Sequence, residues 1–155
     1  MGPTAMDPAA KRAVLTALRE QLERQLSATE AMLAAQRSAT GIDDDSPTTV
    51  DDLAQADVAG DLIAAFEGTR DRQRADLEVI DHFDDASAEV VGAGSIVAFG
   101  GSWFVVGVPA NSFEVDGCSY EGLSTDAPIY AAIRGKRAGD SFEFHGRSHR
   151  VDVVT

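Results

Sequence analysis

The sequence predicts an α+β protein with an N-terminal antiparallel coiled-coil hairpin and a small C-terminal β-rich domain. Two observations support this prediction. No glycine or proline occurs from Ala9 to Thr40, whereas ten of the 14 glycines lie beyond residue 91. Short runs rich in β-branched and aromatic residues alternate with those late glycines, as in small β domains. With 155 residues and 44% hydrophobic content, the chain can bury one or two small cores.

The first helix is predicted to begin at Asp7-Pro8, an N-cap acceptor followed by proline at the first helical position. Apolar residues then recur at steps of three and four as far as Leu33, which gives one narrow stripe. We expect about 30 helical residues, roughly 45 Å at 1.5 Å per residue. Gly41 is a natural stop for this helix.

The second helix is predicted from Val50 to about Phe83, with Thr48 or Thr49 as its cap. Its apolar stripe is as narrow as the first, and only a short loop separates the two helices. Helices with such seams pack against each other, so residues 7–85 should form the antiparallel hairpin, with a tip at about residues 41–52.

The C-terminal domain is predicted for residues 88–155. Strands are expected at 95–99, 103–108, 112–115, 141–145 and 149–154, with one short helix from Pro128 to about Arg134. The candidate core consists of aliphatic and aromatic residues on these elements: Val97, Phe99, Phe104, Val106, Ile129, Ile133, Phe142, Phe144, Val151 and Val153.

The tip of the hairpin is strongly acidic. Residues 38–69 hold eight carboxylates and no Lys or Arg, and five of the acids crowd around Pro47: Asp43, Asp44, Asp45, Asp51 and Asp52. Self-repulsion there lowers stability, so we interpret the tip by what it contacts: a metal ion, a basic surface or the mouth of an active site. The spacing does not fit an EF-hand, so no intrinsic metal site is expected.

Composition excludes several classes of function. The formal net charge is -13, which disfavours direct binding to a nucleic-acid backbone. Cys118 is the only cysteine, so neither an internal disulfide nor a cysteine-based zinc site can form. The three histidines have no metal-ligand spacing with it. No apolar run reaches the length of a membrane span and no signal peptide is recognised, so a cytoplasmic protein without membrane contact is expected. We also expect a monomer.

The segment from Leu123 to Phe144, LSTDAPIYAAIRGKRAGDSFEF, resembles the GreA/GreB transcript-cleavage factor family. The family pattern reads S-x-x-SPI-x-x-ALxGK-x-x-GD, and Ala127 replaces the usual serine. The resemblance implies a coiled-coil hairpin followed by an FKBP-like domain, and core RNA polymerase as the partner. It implies docking through the globular domain, for which the matching segment supplies Asp126, Pro128, Ile129, Gly135, Lys136, Gly139 and Asp140.

In that family the hairpin enters the polymerase secondary channel, and tip acids help hold a catalytic Mg²⁺, so the cleavage is the polymerase's own chemistry. The resemblance therefore implies a factor that is no enzyme and has no cofactor of its own. The tip acids of the family cannot be matched one by one to this sequence, but its own acids Asp43, Asp44 and Asp45 are candidates for contact with the polymerase Mg²⁺.

The tip departs from the family. Cleavage-competent tips resemble D-L-S-E-N-A-E-Y, whereas this tip reads I-D-D-D-S-P-T-T-V-D-D-L. We therefore expect modulation of transcription, by inhibition, rather than stimulated cleavage. The alternatives left open are a cleavage-stimulating elongation factor, an FKBP-like peptidyl-prolyl isomerase and a coiled-coil adaptor.

Overall fold

The computed structural model describes residues 6–40 and 50–155, and the side chains of residues 40 and 50–56 lie outside that description. Two long helices come first, α1 (Pro8–Thr40) and α2 (Val50–Asp81). Six strands and one short helix follow: β1 (Ile96–Phe99), β2 (Ser102–Gly107), β3 (Ala110–Val115), β4 (Cys118–Ser124), α3 (Pro128–Ile133), β5 (Ser141–Phe144) and β6 (Arg147–Val154). The predicted α+β class, with a helical hairpin before a β-rich domain, is confirmed.

The start of α1 follows the sequence prediction closely. The amide of Ala10 donates to Asp7 Oδ1 at 2.7 Å, so Asp7 caps the helix, and Pro8 occupies its first position. Capping by a side-chain oxygen satisfies one of the amides that a helix N-terminus leaves without a partner.

Ion pairs show that α1 and α2 run antiparallel. Glu30 pairs with Arg74 at 3.0 Å, and Arg37, further along α1, pairs with Glu67, earlier in α2, at 2.7 Å. Because these side chains are half exposed, each pair contributes at most about 1 kcal/mol, and burial along the seam carries the stability.

The chain divides into two compact units, and their limits fall inside the long helices. One unit comprises Leu22–Asp76, and the other combines Met1–Gln21 with Leu77–Thr155. The base of the hairpin thus belongs to the same unit as the sheet. The two units are defined by contacts, and each long helix is divided between them. They therefore do not test the predicted domain boundary between residues 85 and 88, which stays a prediction.

The six strands form one mixed sheet in the order β3-β4-β2-β1-β6-β5. All pairs are antiparallel except β2 with β4, which run parallel with Trp103 opposite Tyr120. The edge strands are therefore β3 at one side and β5 at the other.

One face of the sheet packs under α3. Its core contains eight buried residues: Val91, Val97, Phe99, Val106, Leu123, Ile133, Phe142 and Val151. Six of the predicted core residues are in this set, and Phe104, Ile129 and Phe144 pack partly buried against it. Val153 is also buried, but it is not a member of this cluster.

A second group of buried residues was only partly predicted. Ile96, Ala98, Val105 and Val153 on the sheet are buried, and so are Val14 and Leu18 on α1. By strand alternation these sheet residues point away from the α3 side. The first helical turns belong to the same compact unit as the sheet, so their buried apolar residues add to the core of that unit.

Within its described residues, the seam of the hairpin contains one unsatisfied polar atom. Gln73 Oε1 is buried and accepts no hydrogen bond among the described residues. A buried acceptor without a donor costs about 1–3 kcal/mol relative to a satisfied one.

We therefore expect Gln73→Leu to raise the free energy of unfolding by about 1 kcal/mol, because it removes the unpaired acceptor and adds apolar packing. Thermal denaturation followed by circular dichroism should show Tm rising by about 2–4 °C. Ala75→Leu, at an exposed position of the same helix, is the matched control and should change stability by less than about 0.5 kcal/mol. A lower Tm for Gln73→Leu would mean that its amide makes a contact that matters to folding.

Candidate functional site

The segment that resembles the Gre family forms α3 and the turns on either side of it. Before the helix, Ser124 organises the chain: its carbonyl accepts from the Ala127 amide at 3.1 Å and its hydroxyl oxygen from the Asp126 amide at 3.1 Å. Ala127 is the N-cap residue and makes no side-chain cap. Pro128 follows at the first helical position, where its missing amide costs nothing.

The glycines after α3 are required by the backbone. Gly135 has φ of 75° and Gly139 has φ of 92°, a left-handed region that residues with side chains seldom adopt. Gly135 donates to the carbonyl of Val91 at 3.0 Å, and Gly139 donates to that of Val151 at 2.7 Å. The two glycines thus attach this segment to the rest of the sheet unit.

Asp140 closes the turn between the glycines and β5. Its Oδ2 accepts from the Arg137 amide at 2.8 Å, and its own amide donates to the Arg137 carbonyl at 3.0 Å. The structure therefore gives Gly135, Gly139 and Asp140 a structural role. Their predicted contribution to docking, and that of the rest of the set, stays a prediction.

Four members of the predicted docking set present their side chains at the surface of the same region. Asp126 and Pro128 are exposed, and Ile129 and Lys136 are partly exposed. Asp43, Asp44 and Asp45 lie outside the described residues, and Asp51 and Asp52 lie in the first turn of α2 with side chains outside the description.

Sequence reasoning missed a basic cluster next to the docking set. All five Lys and Arg residues of the C-terminal half lie between residues 134 and 150, where there are only two carboxylates. Arg147 and Arg150 are exposed on β6, and Arg134 is exposed at the end of α3. The local reversal of charge in a chain of net charge -13 was the available signal.

A cavity of about 380 Å³ lies beside this cluster, between the end of α3 and the edge strand β5. Its lining is mixed in character and comprises Ala132, Lys136, Ser141, Phe142, Glu143 and Ser148. With one aromatic ring in the lining, it does not resemble the aromatic-lined pocket that the isomerase alternative requires.

The base of the hairpin is fastened to the segment that follows α2. The buried ammonium of Lys11 donates to the Ala86 carbonyl at 2.7 Å, and Arg12 forms an ion pair with Asp85. Burial lowers the pKa of Lys11, and the nearby carboxylates of Asp84 and Asp85 oppose that shift. The hydrogen bond from Arg12 lowers the pKa of Asp85. These contacts hold residues 84–86 against α1.

No group of three or more His, Cys, Asp or Glu side chains within the described ranges is arranged to hold a metal ion. Cys118 is exposed on β4, next to Tyr120, whose pKa is raised by burial and then by Cys118 and Asp116. None of the helices that the structure describes is long and apolar enough to cross a membrane.

Comparison with known proteins returned structural neighbours only. No protein-family model and no curated protein matches the chain. Gfh1 of Thermus aquaticus is similar over 99% of both chains, with 20% identity and a TM-score of 0.36. The GreA factor homolog 1 (Gfh1) of Thermus thermophilus has 20% identity over 90% of this chain and 95% of its own, with a TM-score of 0.32.

A third structure, described as the transcription factor Gfh1, has 20% identity over 99% of both chains and a TM-score of 0.33. Similarity at these identities and TM-scores does not transfer a function.

Proposed function

We propose that this chain is a Gre-like factor that binds core RNA polymerase, places its helical hairpin in the secondary channel and inhibits transcription through its Asp-rich tip. In this proposal the factor has no catalytic activity and no cofactor of its own. It acts as a monomer, in the cytoplasm, without binding nucleic acid directly.

The observation that carries the proposal is the agreement between motif and geometry in the segment Leu123–Phe144. Pro128 starts α3, Gly135 ends it, and Gly139 and Asp140 form the turn into β5, so these four positions of the family pattern each meet a specific backbone requirement. A chance match of residue types to the pattern would not be expected to meet all of these backbone requirements. The antiparallel hairpin that precedes this domain supports the same assignment.

We infer inhibition of transcription, rather than stimulated RNA cleavage, from the sequence of the tip. A run of adjacent aspartates can bind a metal ion or obstruct a substrate path with loose geometry, whereas assisting cleavage demands fixed placement of charge. The tip has the acids for the first role and lacks the Glu, Asn and Tyr of the cleaving pattern for the second.

Binding of the full-length chain to core RNA polymerase is the direct test. We expect saturable binding, measured by biolayer interferometry, and weaker binding for Asp126→Lys, because this exposed acid belongs to the docking set. Reversal of one contact charge typically costs about 1 kcal/mol or more, which is a several-fold loss of affinity.

Gly60→Ala is the control, because Gly60 lies in α2 with no atom near the position of an added Cβ. It should bind like the unaltered protein. If the unaltered chain fails to bind polymerase at micromolar concentration, the proposed function is wrong. If Asp126→Lys binds as tightly as the unaltered chain, the predicted docking set is wrong, while RNA polymerase remains the proposed partner.

A further inference from the structure

Charge is distributed in an unusual way along this chain. Residues 134–150 carry five Lys or Arg side chains and two carboxylates, while the whole protein carries 13 basic and 26 acidic residues. Excess positive charge confined to one short stretch of an acidic protein marks a surface for a partner of opposite sign.

The cations of this stretch are largely without partners. Within the described part of the chain, no ion pair engages Arg134, Lys136, Arg147 or Arg150, and Arg137 reaches Glu89 only at 3.6 Å. On the hairpin, by contrast, Arg19, Arg37 and Arg74 each contact a carboxylate across the helices, and Arg12 contacts Asp85 in the segment after α2. The free cations are therefore available to a partner without breaking contacts inside the protein.

The backbone at this place is also free. Among the strands that the structure describes, β5 is an edge strand, with β6 on one side and no strand on the other. Among the described residues, no backbone hydrogen bond outside the β5–β6 pairing involves Ser141–Phe144. An open strand edge can accept an extended polypeptide as an added strand, since its outward amides and carbonyls need partners.

Two of the cations lie on β6, the strand that pairs with the inner side of β5, one strand away from the free edge. Arg150 lies opposite Ser141 at the start of β5, and Arg147 lies opposite Phe144 at its end. Lys136 lines the cavity of about 380 Å³ that runs beside the strand, with Phe142 as an apolar contact within it. Glu143 is the one carboxylate in that lining, so the acids of a partner should fall near the ends of the strand.

A polypeptide suits this surface better than a nucleic acid. Binding along a phosphate backbone draws on many cations and on a favourable long-range field, and the rest of this protein is strongly acidic. At physiological ionic strength charges are screened beyond about 8 Å, so a few cations serve a short acidic segment at contact distance. The open strand edge adds main-chain recognition that nucleic acids do not use.

We propose that the free edge of β5, with Lys136 beside it and Arg147 and Arg150 on the adjacent strand β6, binds an acidic, extended segment of the polymerase. This inference rests on the proposed function and identifies the chemistry of the partner surface. It adds Arg147 and Arg150 to the docking set, neither of which the family pattern indicated.

The test compares full-length variants for binding to core RNA polymerase at two salt concentrations. Arg147→Gln with Arg150→Gln should weaken binding about 5- to 10-fold at low salt, with a smaller difference at high salt. Glu143→Gln should tighten binding about 2-fold. The control is Asn111→Asp with Ser112→Glu, which changes the net charge by the same amount at exposed positions on the opposite edge strand, and it should change affinity by less than 2-fold.

Hydrogen exchange gives a readout that does not depend on charge. In the complex, amides within Ser141–Phe144 should gain protection. Equal thermal melting curves for all variants will show that the substitutions leave the fold intact.

The possible outcomes separate the two proposals. Absence of polymerase binding by the unaltered chain contradicts the proposed function. If the unaltered chain binds and the double Gln variant binds equally well, the acidic-segment inference is wrong while the function stands. Binding of a single-stranded RNA oligonucleotide that the double Gln variant loses would assign the basic cluster to nucleic acid instead. Unchanged exchange at β5 would exclude strand addition.

Discussion

Replacing Asp43, Asp44 and Asp45 with alanine should leave binding to core polymerase within about 2-fold and abolish the effect on transcription. The sequence places these acids at the tip, whereas the predicted docking residues lie beyond position 125. Substitutions at the tip should therefore remove the action on the polymerase active site without removing the contacts that hold the factor on the polymerase. The substitutions remove only charge and carboxylate oxygens, the two properties that a metal ion or a basic surface would recognise.

The triple substitution should not weaken the hairpin. Relieving repulsion among adjacent carboxylates either stabilises the chain or leaves it unchanged, so lost activity cannot be attributed to unfolding. A matched control replaces Asp57, Asp61 and Asp71, which are exposed along α2, with alanine.

The measurements are affinity by biolayer interferometry and full-length RNA yield in a multiple-round transcription assay. The control variant should inhibit like the unaltered protein. Parallel loss of affinity and of activity in the tip variant would show that the acids contribute to docking. Full activity after removal of all three would assign the acids of the tip to solubility and favour the adaptor alternative.

The long helices were predictable because their signals are local. Asp7 and Pro8 specify the start of α1 through capping chemistry that involves only neighbouring residues. The absence of glycine and proline up to Thr40 then gives a long uninterrupted helix. Periodicity could not reveal that Val14 and Leu18 also belong to the unit that contains the sheet, because one apolar stripe serves helix and sheet partners alike.

Strand β4 was missed because its evidence is non-local. Gly122 lies in the middle of Cys118–Ser124 and interrupts the apolar pattern that indicates a strand. In the structure a Cβ at Gly122 would lie 2.4 Å from the Ala110 nitrogen and 2.5 Å from the Val108 oxygen. The glycine thus permits close approach of a neighbouring strand, a role that the sequence of β4 alone does not express.

The turns of the candidate site could be predicted from the sequence, but its cluster of basic residues could not. Gly135, Gly139 and Asp140 were found through the family pattern, and backbone geometry explains why these residue types are required there. Arg147 and Arg150 lie outside that pattern, on β6. Their relation to the edge of β5 arises from strand pairing, so only the folded sheet shows that Lys136 and these arginines adjoin one strand.

In backtracked polymerase complexes the chain should not stimulate RNA cleavage, and it should slow RNA synthesis. Hydrolysis assisted by a tip requires carboxylates that hold one metal ion and one water at fixed positions, since misplacement by about 1 Å can cost about 100-fold in rate. The tip sequence lacks the Asp-to-Glu spacing and the aromatic neighbour of the cleaving pattern, so the residues that would fix this placement have no counterpart in it.

Inhibition tolerates this looser arrangement. A cluster of carboxylates can bind Mg²⁺ through some of its members or repel an incoming nucleoside triphosphate, and neither effect requires one fixed geometry. Raising the Mg²⁺ concentration should therefore relieve inhibition if the acids compete for the ion.

The experiment follows 3′-end RNA cleavage and single-nucleotide addition in the same complexes, across a series of Mg²⁺ concentrations. We expect cleavage at the rate of polymerase alone and nucleotide addition slowed about 10-fold or more at saturating factor. The triple alanine variant of the tip, which should still bind, serves as the matched control and should restore addition. Rapid release of short RNA at low factor concentration would show that clustered aspartates can position the metal and water after all. In that case the elongation-factor alternative would replace inhibition as the function of this tip.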